Sequence, residues 1–290
     1  MAHNTLKLFN YKDEVINLYK NNISIPNIAR RYNCYPQSVE NLLKTYNVYT
    51  SYRPSKGNTR YFKTIDTYLK AYFLGFITAD GCIQRFTKSS RGLSITLNIK
   101  DICILDKLKQ EIGNSHNIRI WSQPQIFDKT VISTYCRFQI ADKKLYEDLS
   151  SYGLTERKSL TIPNIILNIP KKFRKAFILG YFDGGGSVIL PKQKSIKGGK
   201  EYPNRTITVS IRGTKPFLEG IVQELDITNY SLVFSKQYSL NISKKTEVVK
   251  FYKCYNNCPF YLERKYNKFQ DRLKHISFQR ILQDQTISSS

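Results

Sequence analysis

Two segments constrain this chain more than any others. Residues 71–81 (Ala-Tyr-Phe-Leu-Gly-Phe-Ile-Thr-Ala-Asp-Gly) and 176–186 (Ala-Phe-Ile-Leu-Gly-Tyr-Phe-Asp-Gly-Gly-Gly) each read as an apolar, small-residue helix that stops in a glycine-rich turn. They lie 105 residues apart, the mark of one structural unit used twice. Gly75 and Gly180 fall in mid-helix, where glycine costs about 0.5–1 kcal/mol relative to alanine. Close approach of a second backbone offsets that cost, so the two helices are expected to cross at their glycines. Their C-terminal ends then meet, one carrying Asp80 and the other Gly185.

The repeat extends beyond the helices. Residues 93–100 and 205–212 alternate apolar with polar side chains, so Ile95, Leu97, Ile99, Ile207, Val209 and Ile211 should face a core. Helices over 102–112 and 215–225 follow. Further strands are expected at 118–122, 135–140, 231–242 and 248–252, and closing helices at 143–150 and 260–273. Each half reads helix, two strands, helix, two strands, helix. The fold class is therefore α+β, with halves at 67–160 and 161–282 and a tail at 283–290.

Ahead of the repeat, residues 1–50 read as a small all-α unit. Val15, Ile16, Leu18 and Tyr19 form one stripe; Ser24 caps a second helix with Pro26 near its start, and Pro36 opens a third carrying Val39, Leu42 and Leu43. Helix, short turn and helix is the helix-turn-helix pattern, and residues 24–32 resemble the homeodomain-like units of recombinases and regulators. A plain three-helix bundle is the alternative. Residues 51–66 form a basic linker interrupted by Pro54 and Gly57.

A net charge of +24 over 290 residues calls for a polyanionic partner, nucleic acid before an acidic membrane surface. No run approaches the roughly 20 apolar residues of a membrane span. The N-terminus shows no apolar signal core, so the expected location is intracellular: cytoplasmic for a bacterial or phage protein, with an organelle also compatible. Six scattered cysteines and three distant histidines (His3, His116, His275) argue against a zinc site or a histidine-metal nuclease. Two sheets with short polar outer faces suit base-edge reading in a major groove. The candidate DNA contacts are Arg30, Arg31 and Gln37 in the helical unit and Arg53, Lys56 and Arg60 in the linker. In the first half they are Gln84, Arg85, Lys88, Arg91, Thr96, Lys100 and Arg137. In the second they are Lys192, Lys194, Lys197, Lys200, Arg205, Thr208 and Arg212.

Asp80 at the negative end of its helix is electrostatically misplaced, and a bound divalent cation removes the conflict. Carboxylate, carbonyl and water ligands suit Mg²⁺, which can activate water for phosphodiester hydrolysis. With these features in place, the motif pair resembles the signature of the LAGLIDADG homing endonucleases in their single-chain, two-motif form. The junction 153–160 and the segment 261–266 are similar to that family as well, and the likeness spans about 61–282. It implies αββαββα halves forming a β-saddle, a long asymmetric duplex DNA target bound by a monomer, and Mg²⁺- or Mn²⁺-dependent cleavage, with Ca²⁺ binding but not supporting it.

The resemblance places the metal-binding acid at Asp80 and at position 185, where this chain has glycine and only a backbone carbonyl to offer. Asp183, about 200° around the helix, is assigned to capping or packing. By order along each half, Asn98 and Ser210 are candidates to orient water. Arg137, Gln139, Lys250 and Lys253 are candidates to stabilise phosphate charge. Three activities follow from this composition: a reduced or strand-nicking endonuclease, a DNA-binding regulator without catalysis, and an RNA-splicing maturase. Gly185 is compatible with an engineered variant, a natural nickase or a non-cutting descendant.

Overall fold

The computed structural model describes residues 8–21, 23–48, 57–87, 90–113, 117–156, 158, 161–191, 195–197, 200–202 and 206–273. The chain divides into two compact units, Met1–Pro54 and Ser55–Ser290. In the first, helices α1 (Lys12–Lys20), α2 (Ile25–Arg31) and α3 (Pro36–Thr45) enclose Leu8, Val15, Ile25, Ile28, Ala29, Val39, Leu42 and Leu43. The Ser24 hydroxyl accepts the Asn27 amide at 3.3 Å, capping α2 as its position before Ile25-Pro26 predicts. Asn33, at φ 48°, turns the chain from α2 toward α3. Asparagine tolerates this left-handed conformation better than most residues.

The second unit contains both halves. The first runs α4 (Tyr68–Asp80), β1 (Gly81–Arg85), β2 (Arg91–Asn98), α5 (Ile102–Ile112), β3 (Arg119–Pro124), β4 (Ile132–Ala141) and α6 (Lys143–Ser151). The second runs α7 (Arg174–Gly185), β5 (Ser187–Ile189), a hairpin of β6 (Ser195–Lys197) and β7 (Lys200–Tyr202), then β8 (Thr208–Gly213), α8 (Lys215–Glu224), β9 (Ser231–Phe234), β10 (Tyr238–Ile242) and α9 (Lys245–Tyr252). A further helix, α10 (Glu263–Leu273), follows. The antiparallel sheets have matching orders, β1-β2-β4-β3 and β5-β8-β10-β9.

Two expectations are corrected in the second half. Residues 231–242 are a hairpin of two strands, and 248–252 belong to helix α9. The run Val248-Val249-Lys250-Phe251 has strand-like composition, yet Val248, Val249 and Phe251 are buried together on one helical face. This half thus closes on α9, and α10 is an addition to the repeat.

Helices α4 and α7 make the most extensive helix–helix contact in the unit. A Cβ on Gly75 would run into the Phe177 carbonyl, and one on Gly180 into the Tyr72 carbonyl. Only glycine permits this backbone-to-backbone crossing. Around it, α4 is buried continuously from Ala71 to Thr78 and α7 from Ala176 to Asp183, which explains why neither helix shows a polar face. Beneath the first sheet, Leu93, Ile95 and Leu97 of β2 and Cys136, Phe138 and Ile140 of β4 meet Ile104, Leu105 and Leu108 of α5 in one continuous core.

Candidate active site

The crossing brings α4 and α7 to a common end, where Gly184 lies against Ala79 and the Asp80 Cβ. Asp80 is the last residue of α4, and Gly185 is the last of α7. A Cβ added at Gly185 would meet only the Ala79 Cβ, at 3.4 Å, an ordinary contact. Position 185 has room for a Cβ and carries none.

Two lysines surround this end. Lys158 and Lys265 are only 7% and 4% exposed, and burial pulls each ammonium down to about 8. Burial pushes Asp80 the other way, above the usual carboxylate range, against the pull of Lys158 and then Lys265. The lysines are held differently. Lys265 donates to the carbonyls of Phe182 (2.7 Å), Asp183 (2.8 Å) and Gly186 (2.6 Å), closing the C-terminal end of α7 with a positive charge. Lys158 opposes Asp80 and makes no such set of bonds among the described residues. Arg264, beside Lys265, forms a bidentate pair with Asp101 at 2.7 Å for both bonds and thereby ties α10 to the first half.

The position preceding the terminal pair also differs. Thr78 turns back to the Leu74 carbonyl of its own helix at 2.7 Å. Asp183, its counterpart, accepts the Tyr72 hydroxyl and the Leu262 amide, each at 2.8 Å. Desolvation raises the Asp183 carboxyl to about 6, with the neighbouring Lys265 charge opposing. Asp183 is therefore a buried joint between α4, α7 and the approach to α10.

Strand register identifies which polar residues run outward from the helix ends. From Asp80 the row across the open face is Cys82, Ser94 and Gln139. From Gly185 it is Ser187, Ser210 and Asn241. Gln139 and Ser210 thus stand in the rows nearest the centre. Asn98 lies four residues beyond Ser94, and its side chain accepts the Lys100 amide at 3.1 Å to cap a turn. Ser94 is the counterpart of Ser210, so the pairing of Asn98 with Ser210 is corrected. The strand placement of Lys250 and Lys253 is also corrected. Lys250 sits on α9 beside Asp226 and Glu247, while Lys253 begins the short turn that follows. The counterpart of Gln139 is Asn241.

The remaining candidates fall on several surfaces. Arg30, Arg31 and Gln37 are exposed on the small helical unit, bonded locally to Asn27, Glu14 and Asn41. Arg60 pairs with Asp148 at 3.0 Å. Gln84, Thr96, Arg137, Thr208 and Arg212 occupy the open strand faces. Arg85 and Arg91 lie on the opposite face of their strands, Arg91 over the Tyr146 ring of α6 and Arg85 4.0 Å from Glu156. Lys100 is in the turn after β2. Lys197 and Lys200 belong to β6 and β7, whereas Arg53, Lys56, Lys88, Lys192, Lys194 and Arg205 lie outside the described residues.

Sequence reasoning assigned no role to Lys158, Lys265, Ser94 or Asn241. A signal for the lysines existed: Glu156-Arg157-Lys158 and Glu263-Arg264-Lys265 repeat one tripeptide at nearly the offset of the helices.

A cation at the helix ends would be held by the Asp80 carboxylate and backbone carbonyl oxygen. That donor set fits a hard ion such as Mg²⁺, Mn²⁺ or Ca²⁺ which retains water and shares phosphate oxygens. No group of three or more His, Cys, Asp or Glu side chains suited to a metal occurs among the described residues.

No family model matches the sequence, and no curated protein matches it. Solved structures do match. The homing endonuclease I-WcaI bound to its DNA recognition sequence is 16% identical, over 78% of this chain and 91% of that one, with a TM-score of 0.50. The LAGLIDADG meganuclease I-AabMI bound to uncleaved DNA is 16% identical over 74% and 92%, with a TM-score of 0.48. Likeness at this identity concerns the fold. The chain is an α+β protein of two repeated halves, and its fold is that of the LAGLIDADG homing endonucleases. Among the described residues no helix is long and apolar enough to cross a membrane.

Proposed function

We propose that this protein binds a long, asymmetric duplex DNA site and cleaves it with a divalent metal at a centre reduced to one carboxylate, so that one strand is cut in preference to two. The observation that carries this reading is the pair of helix ends: Asp80 and the buried Lys158 on one side, Gly185 and a carbonyl-bound Lys265 on the other. The net charge of +24 and the polar open faces of both sheets supply the electrostatic and base-reading surfaces such a substrate needs.

When bound, the cation would lower the pKa of a water and offset charge on the phosphate. The protein's part is positional. Asp80 is the carboxylate that would hold the cation. Lys158, poised near pH 8 and with no carbonyl cage among the described residues, offers a proton or a positive charge to the departing oxygen. Gln139 and Ser94 in the first half, with Ser210 and Asn241 in the second, carry hydroxyl and amide groups for ordering water. The enclosure of Lys265 by three carbonyls favours a second reading, a DNA-binding regulator whose second helix end is already neutralised.

The two readings separate in one experiment. A target selected for binding is incubated with Mg²⁺, and each strand is resolved independently. Cutting of one strand supports the nickase, and intact strands with retained binding support the regulator. Gly185→Asp, at a position where a Cβ meets only an ordinary contact, is expected to add second-strand cleavage. A variant that binds its site and cuts neither strand would refute the degenerate-nuclease reading.

A further inference from the structure

The open faces of the two sheets carry different chemistry. On the first sheet, Arg119 and Arg137 are direct partners across β3 and β4. Like charges placed opposite each other destabilise a sheet unless acceptors lie between them. Arg137 is also pre-set: its Nε donates to the Thr96 hydroxyl at 2.8 Å, and its guanidinium lies 5.1 Å from the Trp121 ring centre. Trp121 stacks in turn on Tyr135. Among the described residues no hydrogen bond engages the terminal N–H groups of this fork, and a guanidinium held in this way on the open face suits the paired O6 and N7 acceptors of guanine.

On the second sheet the corresponding face is built of small groups. Ser187, Thr208, Ser210, Ser231, Ser239 and Asn241 occupy its open positions, and Ser210 and Ser239 share a hydrogen bond at 3.2 Å. On the two outer strands, Ile189 of β5 beside Thr208 and Val233 of β9 beside Ser239 stand 48% and 54% exposed. Their places in the register put both on the open face, since Val188 and Leu232 take the core side. Arg212 is the only charged side chain that the described open strand positions of this sheet contribute. Exposed aliphatic groups beside hydroxyls match the 5-methyl and O4 of thymine.

We propose that the two sheets read opposite kinds of sequence. Arg137 with Arg119 selects guanine in one half-site, and Ile189 with Val233 selects thymine in the other. This rests on the duplex-binding reading above and adds to it the composition of the target.

The full-length protein is used to enrich binders from a randomised duplex library, and the enriched site is then probed with base analogues. Guanines should concentrate in one half and thymines in the other. Replacing a guanine of the first half-site by 7-deazaguanine removes the N7 acceptor and should weaken binding roughly 5- to 100-fold. Replacing a thymine of the second by deoxyuridine removes one methyl and should weaken binding about fourfold. Arg137→Ala should erase the guanine preference in one half alone, and Val233→Ala should soften thymine preference in the other. Equal guanine content in both halves, or an Arg137→Ala loss uniform across sequences as a phosphate contact would give, overturns the assignment and leaves duplex reading intact. Failure to enrich any sequence overturns both.

Discussion

The two helix ends are built on one plan and finished differently. Helix α4 ends in a carboxylate that its own backbone disfavours, faced by a lysine that has no carbonyl cage among the described residues. Helix α7 ends in glycine, with the carbonyls of Phe182 and Asp183 and of the capping Gly186 bound to the ammonium of Lys265. The first end is electrostatically incomplete and the second is satisfied. A cation brought from outside has something to neutralise at Asp80, whereas at Gly185 a resident positive charge already serves the helix terminus. The repeat therefore ends once in a buried carboxylate and once in backbone carbonyls already bound by a lysine.

That contrast makes the lysines the strongest test. Lys265→Met would strand three carbonyls and the Asp183 carboxylate, and should lower the unfolding free energy by about 3–5 kcal/mol, the scale of breaking a buried ionic network. Lys158→Met removes a buried charge that no carbonyl cage among the described residues holds, and should leave stability within about 1 kcal/mol. Chemical denaturation of the two variants reads the difference directly. Equal losses would mean that Lys158 is as structural as Lys265 and would end the distinction.

Activity should divide the ends in the opposite sense. Asp80→Asn is expected to reduce strand cleavage by about 100- to 1000-fold, the scale of losing one electrostatic contact at a reacting centre. Affinity for the selected duplex in Ca²⁺ should stay within a few-fold. Strand-resolved single-turnover rates provide the measurement. Undiminished cutting by this variant would move the chemistry away from the helix ends.

Much of the frame was legible in the sequence because the repeat and the apolar periods are strong local signals. The crossing of α4 and α7, the edges of α5 and the burial of Ile95, Leu97, Val209 and Ile211 follow from Gly75, Gly180 and strict alternation. Helix α9 was misread because a short run of β-branched and aromatic residues fits either structure, and only its packing decides. The lysines were hidden for a different reason. In a chain with 46 Lys and Arg residues, no single lysine stands out until burial distinguishes it from a solvated surface. Strand register is also tertiary information, which is why Ser94 and Asn241 were missed as the counterparts of Ser210 and Gln139.

The Asp183 joint sharpens the comparison through pH. In the folded protein its carboxyl keeps the proton up to about pH 6, whereas an ordinary aspartate releases it near 3.8. Between those values the unfolded chain binds fewer protons, so stability falls as pH rises through the window and levels off above it. The span corresponds to at most about 3 kcal/mol. Asp183→Asn should flatten this component in urea titrations from pH 4 to 7. The equivalent position in α4, Thr78, has no titrating group, so Thr78→Val should leave the slope unchanged.

The smallest effect is the most diagnostic of why Gly185 is glycine. Gly75 and Gly180 exist because backbone fills the space a Cβ would need, and Gly75→Ala should destabilise by about 1–3 kcal/mol through overpacking. Gly185 has neither constraint: no positive φ is recorded there, it ends a helix, and its nearest neighbour leaves a normal 3.4 Å gap. Gly185→Ala should therefore stabilise, by about 0.5–1 kcal/mol at most. A measured loss of stability would show that the glycine answers a backbone requirement. A gain would show that the fold does not demand it, leaving the end of α7 free to accept the carboxylate it lacks.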